Sequence, residues 1–328
     1  MKREVTATKR IWRLNEPFVI SRSSRTTSEV VVVQIAEGDR VGRGEATGVR
    51  YHGENPTTLL EQIDRVRSAI ESGVGRRELL SLLPAGGARN ALDAALWDLE
   101  SKLTGKPVWQ LAGVQRPSAL VTNVTIGIRS LEDYEERARA LSAYPWLKVK
   151  VGNDSPLEAV AAVRKGSPNA RLVVDANQAW SVETLERIAP GLAELRVDLL
   201  EQPINGDDDA VLSQLQLPIP VCADEPVNTV DDLPRLIDRY DFINIKLDKS
   251  GGLTAALDLA KAAHEANLRL MVGCMVASSL AMAPAMIVGQ LCEVVDLDGP
   301  LLQAEDWPDA IEYCDGRMSE PSPRLWGS

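Results

Sequence analysis

Five polar residues recur along the middle of the chain at a nearly constant spacing. They are Lys150, Asp175, Glu201, Asp224 and Lys246, and successive members lie 25, 26, 23 and 22 residues apart. Each follows a short apolar run, in the segments LKVK, VVDAN, LLEQP, CADEP and INIKLD. This spacing is the length of one strand plus one helix, the repeat of a β/α barrel. Because the carboxyl ends of barrel strands meet at one rim, we expect the five side chains to lie together there.

The region that contains these residues repeats a pattern of strand, loop and helix. The strand candidates are LVTNVTIGI, WLKVKVG, RLVVDAN, VDLLEQP, PVCADEP, FINIKLD, RLMVGCM and CEVVDLD. Most of the seven segments between them have apolar residues at helical spacing, and several begin with Ser, Thr or Asp. The pattern predicts an α/β fold, a (β/α)7β TIM-like barrel over residues 116–299 whose parallel sheet is buried on both faces.

The remaining parts of the chain lack this repeat. Residues 1–115 predict a separate α+β unit, because β-rich pieces (FVIS, EVVVVQIAEG and RVGRGEAT) precede helical stretches such as ARNALDAALWDLESKLTG. Residues 300–328 contain several prolines and two tryptophans. We expect this last segment to return to the first unit.

Three acids at the ends of consecutive strands predict a metal site. A single such acid is usually a helix cap or a loop hydrogen-bonding group, but Asp175, Glu201 and Asp224 repel each other unless a cation lies between them. Carboxylate oxygens suit Mg²⁺ or Mn²⁺ rather than zinc. The chain contains only two histidines, His52 and His264, which argues against a zinc site.

The lysines of the same strands are candidate acid/base groups. Lys148 and Lys150 are two residues apart, so they point to the same face of their strand. Lys246 is four strands further round, on the opposite wall of an eight-stranded barrel. A group bound between Lys150 and Lys246 has one amine on each face, which is what stereochemical inversion requires. Lys148 has an alternative role as the ion-pair partner of a metal-binding acid, and Lys249 is a less favoured candidate.

Charge and hydropathy favour a small-molecule partner. The formal net charge is −11, and acids and bases alternate without long runs of one sign. This argues against nucleic acid or an anionic membrane as a partner. Neither a secretion-type segment at the start nor an apolar run of about 20 residues is evident. We therefore expect a cytoplasmic protein, and the sequence leaves open whether it forms a homo-oligomer.

The segments LKVK, VDAN, LEQP, ADEP and NIKLDKSGG resemble the muconate-lactonising subgroup of the enolase superfamily, most closely its dipeptide epimerases. The resemblance extends over nearly the whole chain. It implies a capping domain (1–115, completed by 300–328) over the barrel, with Mg²⁺ on the three acids and with Lys150 and Lys246 as acid/base residues. It also implies 1,1-proton transfer through a metal-stabilised enediolate, because a proton next to a carboxylate is otherwise too weakly acidic.

Two acids at the end of the last predicted strand indicate the kind of substrate. Asp296 and Asp298 stand in DLDG at the end of the last strand, two residues apart. The resemblance implies that this Asp-x-Asp pair binds the α-ammonium of a dipeptide, and hydrogen bonding in the turn before Gly299 is the alternative. Unpaired acids oppose N-acyl substrates, so the pair disfavours an N-acylamino acid racemase or o-succinylbenzoate synthase.

An arginine in the polar segment ISRSSRTTSE is the second feature that indicates the substrate. In the family an arginine of the corresponding loop contacts the side-chain carboxylate of glutamate, and Arg25 resembles it. A guanidinium suits this role because it donates two parallel hydrogen bonds. Arg22 is a competitor, and a solvated loop arginine is the other interpretation.

These residues, together with the resemblance, predict a dipeptide epimerase that interconverts L-Ala-D-Glu and L-Ala-L-Glu. The resemblance implies that such an enzyme acts in the recycling of cell-wall (murein) peptides. Lys148, Arg25 and the Asp-x-Asp pair are its expected substrate-binding residues. A cycloisomerase of the same superfamily is an alternative that needs only one base. Rivals from other classes are a Schiff-base aldolase, in which a lysine is the nucleophile, and a non-catalytic barrel.

Overall fold

An antiparallel sheet packed against helices forms the N-terminal part of the molecule, in a computed structural model that describes residues 2–20 and 23–327. The strands are β1 (Arg3–Ile20), β2 (Ser23–Glu37) and β3 (Arg40–Ala46), side by side in that order. The helices are α1 (Pro56–Glu71), α2 (Arg76–Leu82), α3 (Gly87–Thr104) and α4 (Val108–Leu111). The predicted α+β unit is confirmed.

Strand β1 is much longer than the predicted FVIS segment. It pairs with β2 along residues 3–13 and again, after a bulge, from Phe18 opposite Arg25. As an edge strand it buries little, and only Val5 and Trp12 among its described side chains are buried. An apolar pattern alone therefore misses most of it.

The end of the hairpin formed by β1 and β2 differs from the sequence prediction. The sequence predicts a polar loop over ISRSSRTTSE, but residues 23–29 lie in β2, where pairing with β1 satisfies their backbone groups. Arg25 is therefore on a strand. Ser21 and the competitor Arg22 lie outside the described residues.

The barrel follows the predicted strand order. A small antiparallel sheet joins β4 (Leu120–Val121) to β13 (Tyr313–Cys314) and β14 (Arg317–Met318). The eight parallel strands, β5 to β12 in neighbouring order, are Val124–Ile126, Trp146–Lys150, Arg171–Asp175, Leu199–Glu201, Val221–Ala223, Phe242–Lys246, Arg269–Gly273 and Val294–Asp296. Next to β5, Asn123 N donates to Val295 O at 2.9 Å, which joins the first strand region to the last.

The segments between these strands are mostly helical. The helices are α5 (Leu131–Ala140), α6 (Pro156–Gly166), α7 (Val182–Glu194), α8 (Leu233–Leu236), α9 (Leu247–Ser250), α10 (Leu253–Glu265) and α11 (Ser279–Gly289). The segment DDAVLSQLQ, predicted as a helix, forms the 3-10 helix Asp209–Gln214.

An apolar layer fills the barrel below the rim. Its buried members come from six strands and are Val173, Leu199, Cys222, Phe242, Met271 and Val294. Val173, Leu199, Met271 and Val294 each lie two residues before the last residue of their strand. They therefore point to the same face of the strand as that last residue, which is the inside of the barrel. This layer fills the barrel interior below the rim.

The C-terminal segment returns to the first unit. Trp326 Nε1 donates to Ala94 O at 3.0 Å, and Gly327 N donates to an Asp98 side-chain oxygen at 2.7 Å. The chain is thus an α/β barrel with an α+β capping unit that its own C-terminus completes, as predicted. The domain boundaries at residues 115 and 299 stay a prediction. Among the described residues, no helix has the length and apolar character needed to cross a membrane.

Two glycines of β3 let helix α3 approach the capping sheet closely. A Cβ on Gly44 would lie 2.9 Å from the Ala94 Cβ and would overlap the Ala91 carbonyl oxygen. Gly42 faces Leu99 in the same way. Backbone atoms of a packed helix cannot give way cheaply, so these positions require glycine.

We predict that Gly44→Ala destabilises the fold by about 1–3 kcal/mol through this overlap, as measured by urea unfolding. Gly152→Ala is the matched control, because its Cβ would meet only Ile128 Cδ1, at 3.8 Å. Equal unfolding midpoints for the two variants would show that α3 is not packed as described.

Candidate active site

The sheet register aligns the first three rim residues. Lys150 pairs with Asp175 across β6 and β7, and Asp175 pairs with Glu201 across β7 and β8. Asp224 directly follows β9, and Lys246 ends β10 opposite Gly273. All five side chains predicted at the rim are buried in the structure, between 0 and 8% exposed.

The Lys148 ammonium lies in the centre of the acids. Its Nζ is 2.7 Å from Glu201 Oε2, 2.7 Å from Asp296 Oδ2 and 3.1 Å from Asp175 Oδ2. Burial alone would lower the pKa of Lys148, but Asp296 and Glu201 hold it well above its usual value. Lys148 thus pairs with three acids in the structure, and its predicted part in substrate binding stays a prediction.

The two candidate acid/base lysines are each held by one acid. Lys150 Nζ lies 2.5 Å from Asp175 Oδ2, and Lys246 Nζ lies 2.7 Å from Asp224 Oδ2. Lys249 Nζ lies 2.7 Å from the other oxygen, Asp224 Oδ1. With β6 and β10 four strands apart in the eight-stranded sheet, Lys150 and Lys246 stand on opposite walls.

The pKa values of the acids follow from these contacts. Burial would raise the pKa of Asp175, but Lys150 and Lys148 hold it well below its usual range. Lys246 and Lys249 likewise overcome burial and lower the pKa of Asp224. Burial, together with the neighbouring Asp175, raises the pKa of Glu201 to about 7. Of these three acids, Glu201 is therefore the one whose negative charge is least compensated by the neighbouring lysines.

The donor set of this rim suits a hard divalent cation. Five buried carboxylates, which are Asp175, Glu201, Asp224, Asp296 and Asp298, face four buried ammonium groups, which are Lys148, Lys150, Lys246 and Lys249. The rim thus has more carboxyl groups than ammonium groups, and its acidic donors are oxygen atoms. Within the described part of the chain, no three His, Cys, Asp or Glu side chains stand at metal-binding spacing. The predicted metal ligands stay a prediction.

The predicted Asp-x-Asp pair lines the same cavity as the lysines. Asp296 accepts from Lys148, and its Oδ1 has no hydrogen-bond partner among the described residues. Asp298 accepts from Thr125 N at 2.7 Å, a bond from strand β5 and not one within the turn before Gly299. Burial and the neighbouring Asp296 raise the pKa of Asp298 to about 6. The pair is therefore buried and only partly neutralised.

A cavity of about 540 Å³ lies between the rim and the capping unit. Its lining includes Lys148, Lys150, Lys246, Asp224, Asp296 and Asp298 from the barrel, and Phe18, Arg25, Arg50 and Tyr51 from the capping unit. The guanidinium of Arg25 lies 5.6 Å from the centre of the Phe18 ring. The structure thus brings Arg25 to the cavity that holds the lysines.

Several site residues escape the sequence reasoning. Asn177 accepts from Lys150 at 3.1 Å, and Asn244 Nδ2 donates to Glu201 Oε1 at 3.0 Å. Gly273 leaves room for a lysine, because a Cβ there would lie 2.9 Å from Lys246 Cε. Both asparagines lie two residues from a predicted rim residue, the spacing that could have identified them.

Buried Glu45 connects the capping unit to the loop that follows β11. Its Oε1 accepts from Ser278 N at 2.8 Å, and its Oε2 accepts from Ser278 Oγ at 2.7 Å and Trp307 Nε1 at 3.2 Å. Val276 of the same loop lines the cavity. Burial raises the pKa of Glu45 to about 7 despite these hydrogen bonds.

Comparisons with known protein families identify the class. The family model described as enolase C-terminal domain-like matches residues 132–323, and the mandelate racemase / muconate lactonizing enzyme N-terminal domain matches residues 2–113. The chain belongs to the mandelate racemase / muconate lactonizing enzyme family of the enolase superfamily. This confirms the resemblance seen in its motifs.

Relatives of known activity are epimerases and racemases. The chain is 40% identical to the L-Ala-D/L-Glu epimerase of Escherichia coli K12 over 96% of this chain and 99% of that protein. It is 38% identical to an N-acetyl-D-glutamate racemase from Pseudoalteromonas, over 91% of this chain and 95% of that protein.

Two solved structures have the same fold over nearly their whole length. An Agrobacterium tumefaciens enolase-family member with homology to dipeptide epimerases, with bound sodium and L-Ala-L-Glu, superimposes with a TM-score of 0.97 at 39% identity, covering 99% of this chain and 100% of that one. A Methylococcus capsulatus dipeptide epimerase complexed with Mg and L-Arg-D-Lys gives 0.91 at 30% identity and 99% coverage of both chains.

The raised pKa of Glu45 predicts a pH dependence of stability. The folded state holds this proton up to about pH 7, whereas the unfolded carboxyl releases it near 4.5, so stability falls as pH rises through that window. We predict that wild type loses about 2–3 kcal/mol relative to Glu45→Gln between pH 5 and pH 8, measured by urea unfolding at each pH. Parallel pH profiles for the two proteins would contradict this assignment.

Proposed function

We propose that this chain is a Mg²⁺-dependent dipeptide epimerase that interconverts L-Ala-D-Glu and L-Ala-L-Glu by 1,1-proton transfer at the α-carbon of the glutamyl residue. The observation that carries the proposal is the position of Lys150 and Lys246. They lie on opposite walls of one buried cavity, each beside a carboxylate. The similarity to a dipeptide epimerase over the whole chain supports the substrate class.

The two lysines exchange the proton between the faces of the α-carbon. A neutral amine on one face removes the proton, and an ammonium on the other face returns one, which inverts the configuration. Asp175 and Asp224 orient these side chains through the contacts of 2.5 and 2.7 Å. Which lysine removes the proton depends on which epimer is bound.

Asp175, Glu201 and Asp224 would hold the Mg²⁺ that the excess of carboxyl groups accommodates. When bound, the ion supplies Lewis-acid stabilisation of charge on the substrate carboxylate. Lys148 holds Glu201 and Asp175 in position and offsets part of the repulsion between them. The magnesium bound to the Methylococcus capsulatus relative supports the choice of metal.

Opposite charges at the two ends of the cavity would orient the dipeptide. The partly neutralised carboxylates of Asp296 and Asp298 would bind the α-ammonium of alanine, and Arg25 would bind the γ-carboxylate of glutamate. Guanidinium and carboxylate pair strongly through parallel hydrogen bonds. The L-Ala-L-Glu bound to the Agrobacterium relative supports this choice of dipeptide. We further propose that the dipeptide derives from cell-wall peptide and is recycled in the cytoplasm.

Racemisation of N-acetylglutamate is the second candidate, favoured by the 38% identity to a racemase of that substrate. An acetyl group has no positive charge to meet Asp296 and Asp298. The Oδ1 of Asp296 would then stay buried without a partner, which is costly. The Asp-x-Asp pair therefore favours the dipeptide.

Stereospecific hydrogen exchange tests the roles of the lysines. In D₂O with Mg²⁺, NMR should show deuterium entering the glutamyl α-position of both L-Ala-L-Glu and L-Ala-D-Glu. Lys150→Met and Lys246→Met should each abolish exchange of one epimer, because each removes the base on one face. Lys165→Met, at an exposed lysine paired with Glu135, is the control. Loss of exchange with one lysine variant only, for both epimers, would indicate a single-base reaction.

Substrate charge tests the Asp-x-Asp pair. Wild type should exchange L-Ala-L-Glu at least ~10-fold more efficiently than N-acetyl-L-Glu in kcat/KM, since a charge-assisted contact is worth about that much. Asp296→Asn should reduce this preference by lowering the rate with the dipeptide. A preference for N-acetyl-L-Glu in wild type would establish the racemase instead.

A further inference from the structure

The capping side of the cavity carries two guanidinium groups that form no ion pair with an acid of the described residues. Arg25 comes from β2, and Arg50 begins the 3-10 helix Arg50–His52. Among the described residues, neither side chain makes an ion pair or a hydrogen bond. The two glutamates of the same wall are engaged elsewhere, since Glu29 pairs with Lys9 at 2.5 Å and Glu54 accepts from backbone amides. Among the described residues of this wall, two arginines thus face one glutamate, Glu54, that is not paired with a lysine, so the wall has a net positive charge.

The two arginines are close enough to influence each other. Burial of the guanidinium, followed by the repulsion of Arg50, lowers the pKa of Arg25 to about 10. Holding like charges together in a partly buried site costs free energy unless an anion joins them. The barrel wall of the same cavity is acidic, so the anion would be the part of the substrate that points away from that wall.

Buried Asp248 and half-buried Glu54 fix the backbone that presents Arg50. Asp248 Oδ1 accepts from Thr47 N at 3.0 Å and from Gly48 N at 3.3 Å. Glu54 Oε2 accepts from Val49 N at 2.7 Å and from Gly87 N at 3.1 Å. The residues on both sides of Arg50 are thus tied to the barrel and to α3, and the guanidinium is presented by a rigid support.

We propose that Arg50 is a second specificity-determining residue, which binds the side-chain carboxylate of an acidic C-terminal residue of the dipeptide together with Arg25. This inference rests on the proposed function and narrows its substrates to dipeptides that end in Glu or Asp. A carboxylate has two oxygen atoms, so each guanidinium can donate to a different one. Uncharged side chains of the same size leave both cations unpaired and bind less well.

Kinetics with a pair of isosteric dipeptides test the role of Arg50. Arg50→Gln should lower kcat/KM for L-Ala-L-Glu by about 10- to 100-fold, the value of a charge-assisted hydrogen bond. For L-Ala-L-Gln the same substitution should change kcat/KM less than ~3-fold, because the neutral Gln side chain forms no ion pair with Arg50. Arg50→Lys should restore part of the preference for Glu, because it keeps the charge.

A binding measurement and a control complete the test. L-Ala-L-Glu should raise the Tm of wild type more than that of Arg50→Gln at the same concentration, because a ligand stabilises in proportion to its affinity. Arg40→Gln, an exposed arginine of the capping sheet beside Asp39, should behave like wild type. Equal losses for Glu and Gln dipeptides, or no loss for either, would overturn the inference while leaving an active epimerase. A wild type inactive on both dipeptides would overturn the proposed function, and the inference with it.

Discussion

The balance of buried charge at the barrel rim is the constraint on which the rest of the structure depends. Lys148 holds three carboxylates within 3.1 Å, and the other lysines are each bound to Asp175 or Asp224. Burying so many charges costs free energy unless each is paired. Removing one partner leaves the other as an unpaired buried charge, which destabilises the fold. The carboxyl groups that the lysines leave in excess are the basis of the proposed binding of a metal ion and of a substrate ammonium.

The fold supplies the conditions for this balance. The parallel register puts Lys150, Asp175 and Glu201 at one level, and the apolar layer beneath them keeps water out from below. The capping unit closes the cavity from above and contributes the opposite charge through Arg25 and Arg50. One wall of the cavity is therefore acidic and the other basic, and the two walls come from units that are far apart in sequence.

Much of this arrangement can be read from the sequence, because parallel strands convert regular spacing into a shared rim. The strand order and the rim positions of the two lysines and three acids follow from that rule. The length of β1 does not, since an edge strand buries few side chains. Arg50 and Asn244 also escape prediction, because their roles depend on which segments pack over the rim. The role of Lys148 required the distances to three acids that only the folded chain brings together.

Binding of a divalent ion is the most direct test of the charge balance. Mn²⁺ binding followed by electron paramagnetic resonance should show one ion per chain that Mg²⁺ displaces, and Glu201→Gln should weaken binding at least ~10-fold through loss of a charged ligand. Glu186→Gln, on the outer helix α7, should bind as wild type does. Absence of a bound ion, or equal affinity in wild type and Glu201→Gln, would contradict the account.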